Sequence, residues 1–388
     1  MIAMTRALAR RLGPVFRRAP LGVAHKGPLP PIVLTAGGRG LRASFQYGGL
    51  AVEFREFALD PAGESIPLPL EALTACAGRG DAPVAVEAVA ADRTAVRWDE
   101  YGVPQAREYA VTPADALPPF PGPPDGWADG LDGLLAACAD AAATAADAST
   151  RYALNCLLLR GSTGERVATD GRQLLTRGGF PFPWADDVLI RRSPVFAARG
   201  LPRDRPVSVG RTPTHVVLKT GPWTLAFEAV TGARFPDVGR VIPDPRWASA
   251  RLEIDPGDAA FLAAALGRLP GADDPNAPAT LDLNGCVAVR TRAADRGPVI
   301  ELDLSRSHYT GAPVRVHLDR RFLARALGLG FPALEVTGPD DPVVARDARG
   351  AYAWQPLSSG SAVAPGGGAV RVVSDPARAA RPTAVVCQ

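Results

Sequence analysis

Three times along the chain the sequence passes through the same order of periodicities: helix, strands, helix, strands. That order constrains the fold most, because a chain repeating one α+β unit must bury helices against antiparallel sheets three times over. The first pass opens on Met4–Arg18, where Ala7, Leu8, Leu12, Val15 and Phe16 form an apolar stripe beside Arg6, Arg10, Arg11, Arg17 and Arg18. Gly13-Pro14 is a point at which that helix would kink or stop. Ile32–Leu34, LRASFQY and LAVEFREF read as strands, the last two joined at Gly48-Gly49 as a hairpin. Leu70–Ala77 is a second helix, and PVAVEAVA, TAVRWDE and AREYAVT are three further strands.

The Pro-rich run ADALPPFPGPPDG ends this pass. The second opens on Trp127–Ala148, helical in composition, and continues through YALNCLLLRG and RVATDGRQLLTR. SPVFAARGL reads as its second helix, and RPVSVG, THVVLKT and WTLAFEAV as strands. The third pass has a strand, then a helix with Asp255 as N-cap and Pro256 at the first helical position. The hairpin ATLDLNGCVAVRTR, the strand VIELDLS and the helix LDRRFLARALG, capped by Asp319, come next; ALEVTG, PVVARD and AYAWQPL close it. Each pass runs to roughly 115–125 residues, an ordinary domain size. The expected domains are 1–122, 123–245 and 246–357, with 358–388 a flexible tail in which Val370–Val373 has the pattern of a late strand.

Between the second and third passes lies WTLAFEAVTGARFPDVGRVIP, Trp223–Pro243. Its first half alternates as a half-buried strand, Gly232 breaks it, and Pro236 disfavours helix at Phe235. The stretch reads as a strand and an extended connector, a seam between two similar domains.

Chemistry is sparse. In 388 residues, 47% are hydrophobic and 21% charged, a soluble globular balance whose net charge of +3 demands neither a nucleic-acid nor a membrane partner. Cys76, Cys138, Cys156, Cys286 and Cys387 are scattered and read as reduced thiols filling cores. No apolar run approaches the roughly 18 residues of a membrane span, and the basic start lacks a long apolar core for a secretory signal, so the cytoplasm is expected. GxxxxGK[ST], HExxH and GxSxG are all missing. Gly37-Gly38-Arg39-Gly40 joins two strands and reads as a hairpin turn instead of a phosphate cradle, and His25, His215, His308 and His317 have no ligand spacing. Asp170 and Asp237 read as turn-supporting acids without a second placed carboxylate. No catalytic residue, metal ligand or cofactor is nominated, which leaves a binding or scaffold protein.

Two segments carry a resemblance. VATDGRQLL, following YALN, resembles a motif of the bacterial DNA polymerase III beta subunit, the sliding clamp, in which a strand ends in a Thr-Asp-Gly turn. GARFPDVGRVIP resembles the same family's second seam motif, with weaker echoes in LPPIVL and LDRRFLARAL. The resemblance implies the DNA clamp fold: three similar domains, each with two helices packed on antiparallel sheets, forming half of a head-to-tail homodimeric ring. Such a ring holds duplex DNA topologically, its DNA-facing helices needing only non-specific phosphate attraction, and tethers polymerases as a non-catalytic processivity factor in DNA replication.

Partners, namely polymerase and clamp-loader subunits, would insert short peptides with apolar anchors into a pocket. By motif, that pocket takes Leu154, Thr169, Gly171, Arg172, Gln173, Leu174, Pro236, Arg240, Val241, Phe322, Trp354, Gln355, Pro356 and Leu357. Arg6, Arg10, Arg11 and Tyr152 would face DNA. Three departures mark a divergent member. The family's final Met-Pro-Met is Gln355-Pro356-Leu357 here, with a tail beyond; Arg172-Gln173 stands where the family's turn usually continues with His, or another polar residue, and then Arg; and Trp127–Ala148 carries Asp129, Asp132, Asp140 and Asp147 without a basic residue. A paralogue acting as an interaction scaffold without encirclement is the alternative reading, and an enzyme with an unrecognised site is a third.

Overall fold

The computed structural model describes residues 1–24, 27–37, 40–56, 63–148, 151–271, 274–292 and 297–375. The chain parts into two compact units, one of Met1–Ala168 with Gly179–Phe235, the other of Thr169–Gly178 with Pro236–Gln388. One boundary therefore falls at Phe235/Pro236, inside the seam read from the sequence.

In the first unit, helix α1 (Arg6–Phe16) starts where the Thr5 hydroxyl accepts from the Leu8 amide at 3.0 Å. Ile2–Thr5, which the sequence reading had partly assigned to this helix, is instead a strand paired with Pro83–Ala90. The helix runs through Pro14, held by the buried stripe Leu8, Leu12, Val15 and Phe16. Helix α2 (Leu70–Cys76) matches expectation. Helix α3 covers only Leu134–Thr144, because Trp127–Ala128 pairs as a short strand with Val209–Gly210 and because Gly130 and Gly133 take φ of 74° and 76°. Pro194–Ala197 forms one 3₁₀ turn in place of the second helix expected in SPVFAARGL.

Four antiparallel strands stand in the order Ile2–Thr5, Pro83–Ala90, Arg93–Glu100, Val103–Ala110. Eight more stand in the order Glu64–Leu68, Ile32–Gly37, Gly40–Tyr47, Leu50–Glu56, Trp223–Glu228, His215–Thr220, Ser208–Arg211, Trp127–Ala128. The Gly37–Gly40 pairing confirms the hairpin; Gly38 and Arg39 of that motif lie outside the described residues, as do His25 and Cys387. Trp223 is 1% exposed and meets Phe16 and Phe54 edge-on at 5.6 and 5.0 Å, so the start of the seam strand shares a core with α1. Cys76, Cys138 and Cys156 are free, buried thiols, and burial pushes the first two up to about 11; Cys286 is disulfide-bonded and departs from the reduced state expected of it.

In the second unit, α4 (Pro256–Leu266) and α5 (Arg320–Gly328) carry the expected Asp255 and Asp319 caps, with carboxylates accepting from Gly257 and Arg321 amides at 2.8 and 2.9 Å. Six antiparallel strands follow one another as Gln173–Arg177, Gly350–Trp354, Val343–Asp347, Ala333–Val336, Ala250–Glu253, His308–Gly311. A second sheet runs Val314–Asp319, Pro278–Leu283, Val287–Thr291, Ile300–Asp303, Val370–Val373. The late strand expected at Val370–Val373 is therefore present, and it is parallel to its neighbour. The tail does not trail free as expected over 358–375: Ser359 binds Asp340, Val363 donates to Thr280 Oγ1 at 2.8 Å, and Ser374 donates to Asp303 O at 2.9 Å. Residues 376–388 lie outside the described residues. Among the described residues, no helix is long and apolar enough to cross a membrane.

Candidate functional site

The Thr-Asp-Gly segment is a closed turn. Thr169 Oγ1 donates to Gln173 O at 2.6 Å and accepts from the Gly171 amide at 3.0 Å. Asp170 Oδ1 accepts from the amides of Arg172 and Gln173 at 2.8 and 2.9 Å, while its Oδ2 takes the Gln173 side-chain amide at 2.8 Å. Gly171 sits at φ 92°, which a side chain would strain. Asp170 thus spends both oxygens on the turn, as the turn reading of the sequence required.

This turn seats on the end of the chain's last core strand. Gln173–Arg177 pairs antiparallel with Gly350–Trp354, Gln173 opposite Trp354, and the Gln355 amide donates to Arg172 O at 2.9 Å. Tyr352 donates to Gln173 Oε1 at 2.6 Å. On the solvent side, the Arg172 guanidinium lies 5.7 Å from the centre of the Phe322 ring and donates to Asn276 at 3.2 Å. Turn, helix α5 and strand end therefore come together.

The expected pocket residues then separate by exposure. Leu174 and Trp354 are 2% and 1% exposed, buried on opposite faces of the strand pair. Gln355 is exposed, and its side chain donates to Asp340 O at 3.0 Å. This polar side chain, which stands where the family has Met, thus faces outward with a partner and is not left unpaired in an apolar groove. Pro356 is buried and Leu357 half-buried, the Leu357 amide donating to His317 O at 2.7 Å. Leu357 lines a pocket of about 700 Å³ with Asn276, Pro278, Arg292, His317 and the tail residue Val363. Sequence reasoning passed over Asn276, Asp340 and His317. None stands in a motif, and His317 looked like any strand residue.

The seam connector crosses the outer face of the same sheet. Ile242 packs on Val344, Ala351 and Ala353, and Arg346 donates to Pro243 O at 3.1 Å. Val241 is left 45% exposed, Arg240 is exposed and Pro236 half-buried. Leu174 lies opposite Ala353 in the strand pair. Leu154, half-buried, belongs to the first unit, where its carbonyl accepts from the Ala146 amide at 2.9 Å.

The residues expected to face DNA also divide. Arg6 is consumed by the fold: it donates to the carbonyls of Cys76, Ala77 and Asp99 and pairs with Glu100 at 3.0 Å. Arg11 pairs with Glu56 at 2.6 Å and stays about half exposed, and Arg10 is exposed. Tyr152 is half-buried under the Arg151 guanidinium at 5.2 Å. The acidic-helix departure weakens, because only Asp140 of the four acids lies in α3, and Asp147 pairs with Arg192.

No protein-family model and no curated protein matches the chain. Solved structures do. The DNA polymerase III subunit beta of Pseudomonas aeruginosa superposes with a TM-score of 0.73 at 20% identity, covering 92% of this chain and 99% of that one. The fold is that of the DNA sliding clamp. The beta chain from Streptococcus pneumoniae gives a TM-score of 0.71 at 14% identity over the same shares, and the Pseudomonas aeruginosa clamp bound to griselimycin gives 0.72 at 20%. The clamp fold accounts for the repeated helix and sheet order, and it extends over sequence in which four residues of five differ.

Proposed function

We propose that the chain is a sliding-clamp-type processivity factor of three domains, 1–122, 123–245 and 246–357, without catalysis of its own. Two copies close head to tail around duplex DNA in the cytoplasm. Polymerase and clamp-loader subunits dock by short peptides on the surface of Arg172, Phe322, Gln355, Leu357 and the exposed connector residues Arg240 and Val241. The extent of the fold match, 92% of this chain and 99% of the Pseudomonas aeruginosa subunit, carries this reading. Encirclement needs no base readout, so affinity for linear duplex is low and salt-dependent. Arg10 and Arg11 remain candidates for phosphate contact, and Arg6 is withdrawn.

The test is retention on nicked circular DNA with a clamp loader present. The complex survives high salt on circles and runs off when the DNA is cut; equal retention on linear DNA overturns encirclement. Griselimycin, which a neighbour binds, is the probe for the docking surface, and no binding to this chain overturns that assignment. A second reading, a scaffold paralogue that docks peptides without encirclement, draws support from the tail strand lying on Ile300–Asp303. It predicts griselimycin binding with no retention on circles.

A further inference from the structure

The strand orders contain a repeat that leaves two edges over. In the first pass Ile2–Thr5 leads into α1 and stands first in a row of four that ends at Val103–Ala110. Trp127–Ala128, ahead of α3, likewise begins a row ending at Trp223–Glu228, and Ala250–Glu253, ahead of α4, with His308–Gly311 on its other side, leads a row ending at Gly350–Trp354. Of the other kind of row, one ends at Leu50–Glu56 and one at Ile300–Asp303, each starting from the strand that leads into the second helix, Glu64–Leu68 or Val314–Asp319. Gln173–Arg177 is the corresponding edge of the middle pass.

Inside the chain, row ends join row ends. Leu50–Glu56 pairs with Trp223–Glu228, and Gln173–Arg177 with Gly350–Trp354, both antiparallel over five residue pairs. Val103–Ala110 and Ile300–Asp303 are left. The first has a free outer edge among the described residues, mostly exposed along its length. The second is covered by the tail.

We propose, resting on the ring reading above, that Val370–Val373 is a removable stopper on the edge at which Val103–Ala110 of a second copy would join. It occupies Ile300–Asp303 residue for residue, with the Val370 amide on Val299 O at 2.8 Å and the Ser374 amide on Asp303 O at 2.9 Å. It does so in parallel, whereas the two seams within the chain are antiparallel, the slightly more stable pairing per residue. Little burial holds it: Val370 and Val372 are 50% and 42% exposed. Polar contacts do the holding. Arg371 Nε donates to Glu301 Oε1 at 2.7 Å, and Ser374 Oγ donates to the buried Asp258 at 2.6 Å. Val103–Ala110 carries one cation, Arg107, that could meet an edge whose acids are Glu301 and Asp303, beside one acid, Glu108, which pairs with Arg93. A short, exposed, parallel strand is thus replaceable by a longer antiparallel one, and ring closure is coupled to release of the tail.

The experiment compares full-length protein with Val372→Pro, which removes the amide midway between the two tail donors, and with Arg371→Glu, which sets like charges on Glu301. Sedimentation velocity at micromolar concentration is expected to give a monomer for the parent chain and dimers for both variants, associating at least tenfold more tightly. Adding Ala106→Pro to either variant, or an excess of a synthetic Gly366–Asp375 peptide, is expected to return them to monomer. A parent chain that dimerises as readily as the variants overturns the stopper and leaves the ring reading standing. A dimer lost in the variants makes the tail part of the interface and likewise overturns it. Parent and variants that all stay monomeric while melting normally overturn the ring reading together with the stopper.

Discussion

Tyr352 and Gln173 meet across two antiparallel strands, the phenol donating to Gln173 Oε1 at 2.6 Å while Asp170 takes the amide end of the same side chain. Burial pushes the Tyr352 phenol well above its ordinary value, so it remains a donor at any working pH. This pair ties the Thr-Asp-Gly turn to the strand that ends in Gln355. Tyr352→Phe leaves the glutamine oxygen unpaired, at an expected cost of about 1 kcal/mol in urea unfolding. An unchanged midpoint would show that the turn stands without it.

Charge at Val241 and charge at Leu174 should act through different mechanisms. Val241 is 45% exposed and Leu174 2%. Val241→Glu should leave stability within about 0.5 kcal/mol and, on the docking surface proposed above, weaken the griselimycin binding proposed there by about tenfold or more. Leu174→Glu puts a carboxylate at a buried position opposite Ala353 and should destabilise the second unit, losing binding by a different route. Calorimetry on the two variants separates these outcomes.

His317 makes the tail attachment sensitive to acid. Burial lowers its value below 6.5, against smaller opposite pulls from a backbone hydrogen bond at Ala279 and from Asp274. The folded chain therefore holds it neutral, and the unfolded chain binds more protons in the window below 6.5. Its contribution is complete above that value and is lost as pH falls through the window. Its ring nitrogen bonds Thr280 Oγ1 at 3.2 Å, which in turn accepts from the Val363 amide, and Arg292 lines the same pocket. His317→Asn should flatten the fall in melting temperature between neutral pH and about pH 5.

Arg290 is fully buried between Asp282 and Glu301, and its Nε donates to Glu301 at 2.5 Å. Arg290→Ala removes the shared cation from two buried carboxylates, leaving Asp282 to Arg315 and Glu301 to Arg371, and should cost about 3 kcal/mol. The loss is expected first in the Ile300–Asp303 edge, read as amide exchange there; uniform protection would place the cost elsewhere.

Legibility in the sequence followed locality. The caps at Asp255 and Asp319, the Gly48-Gly49 hairpin and the Thr169–Gln173 turn were readable because each is closed by groups within a few residues. Trp127–Ala148 was misread as one helix because its composition favours helix, while the pairing that claims Trp127–Ala128 comes from Val209–Gly210, some eighty residues on. Arg6 looked like a DNA contact for the same reason. Its partners at Cys76, Ala77, Asp99 and Glu100 are distant in sequence, and no local pattern announces them.

By itself, then, the sequence determined the repeated element order, the turn at Asp170-Gly171 and the extended exit at Phe235-Pro236, since backbone preference and short-range hydrogen bonds decide those. Tertiary structure decided which of the expected docking residues reach solvent. A period-two strand does not say what will cover each of its faces, and here Leu174 and Trp354, on opposite faces, were both buried while Gln355 and Val241 stayed out. It also decided the fate of the tail, because the free edge of Ile300–Asp303 exists only once its sheet has formed.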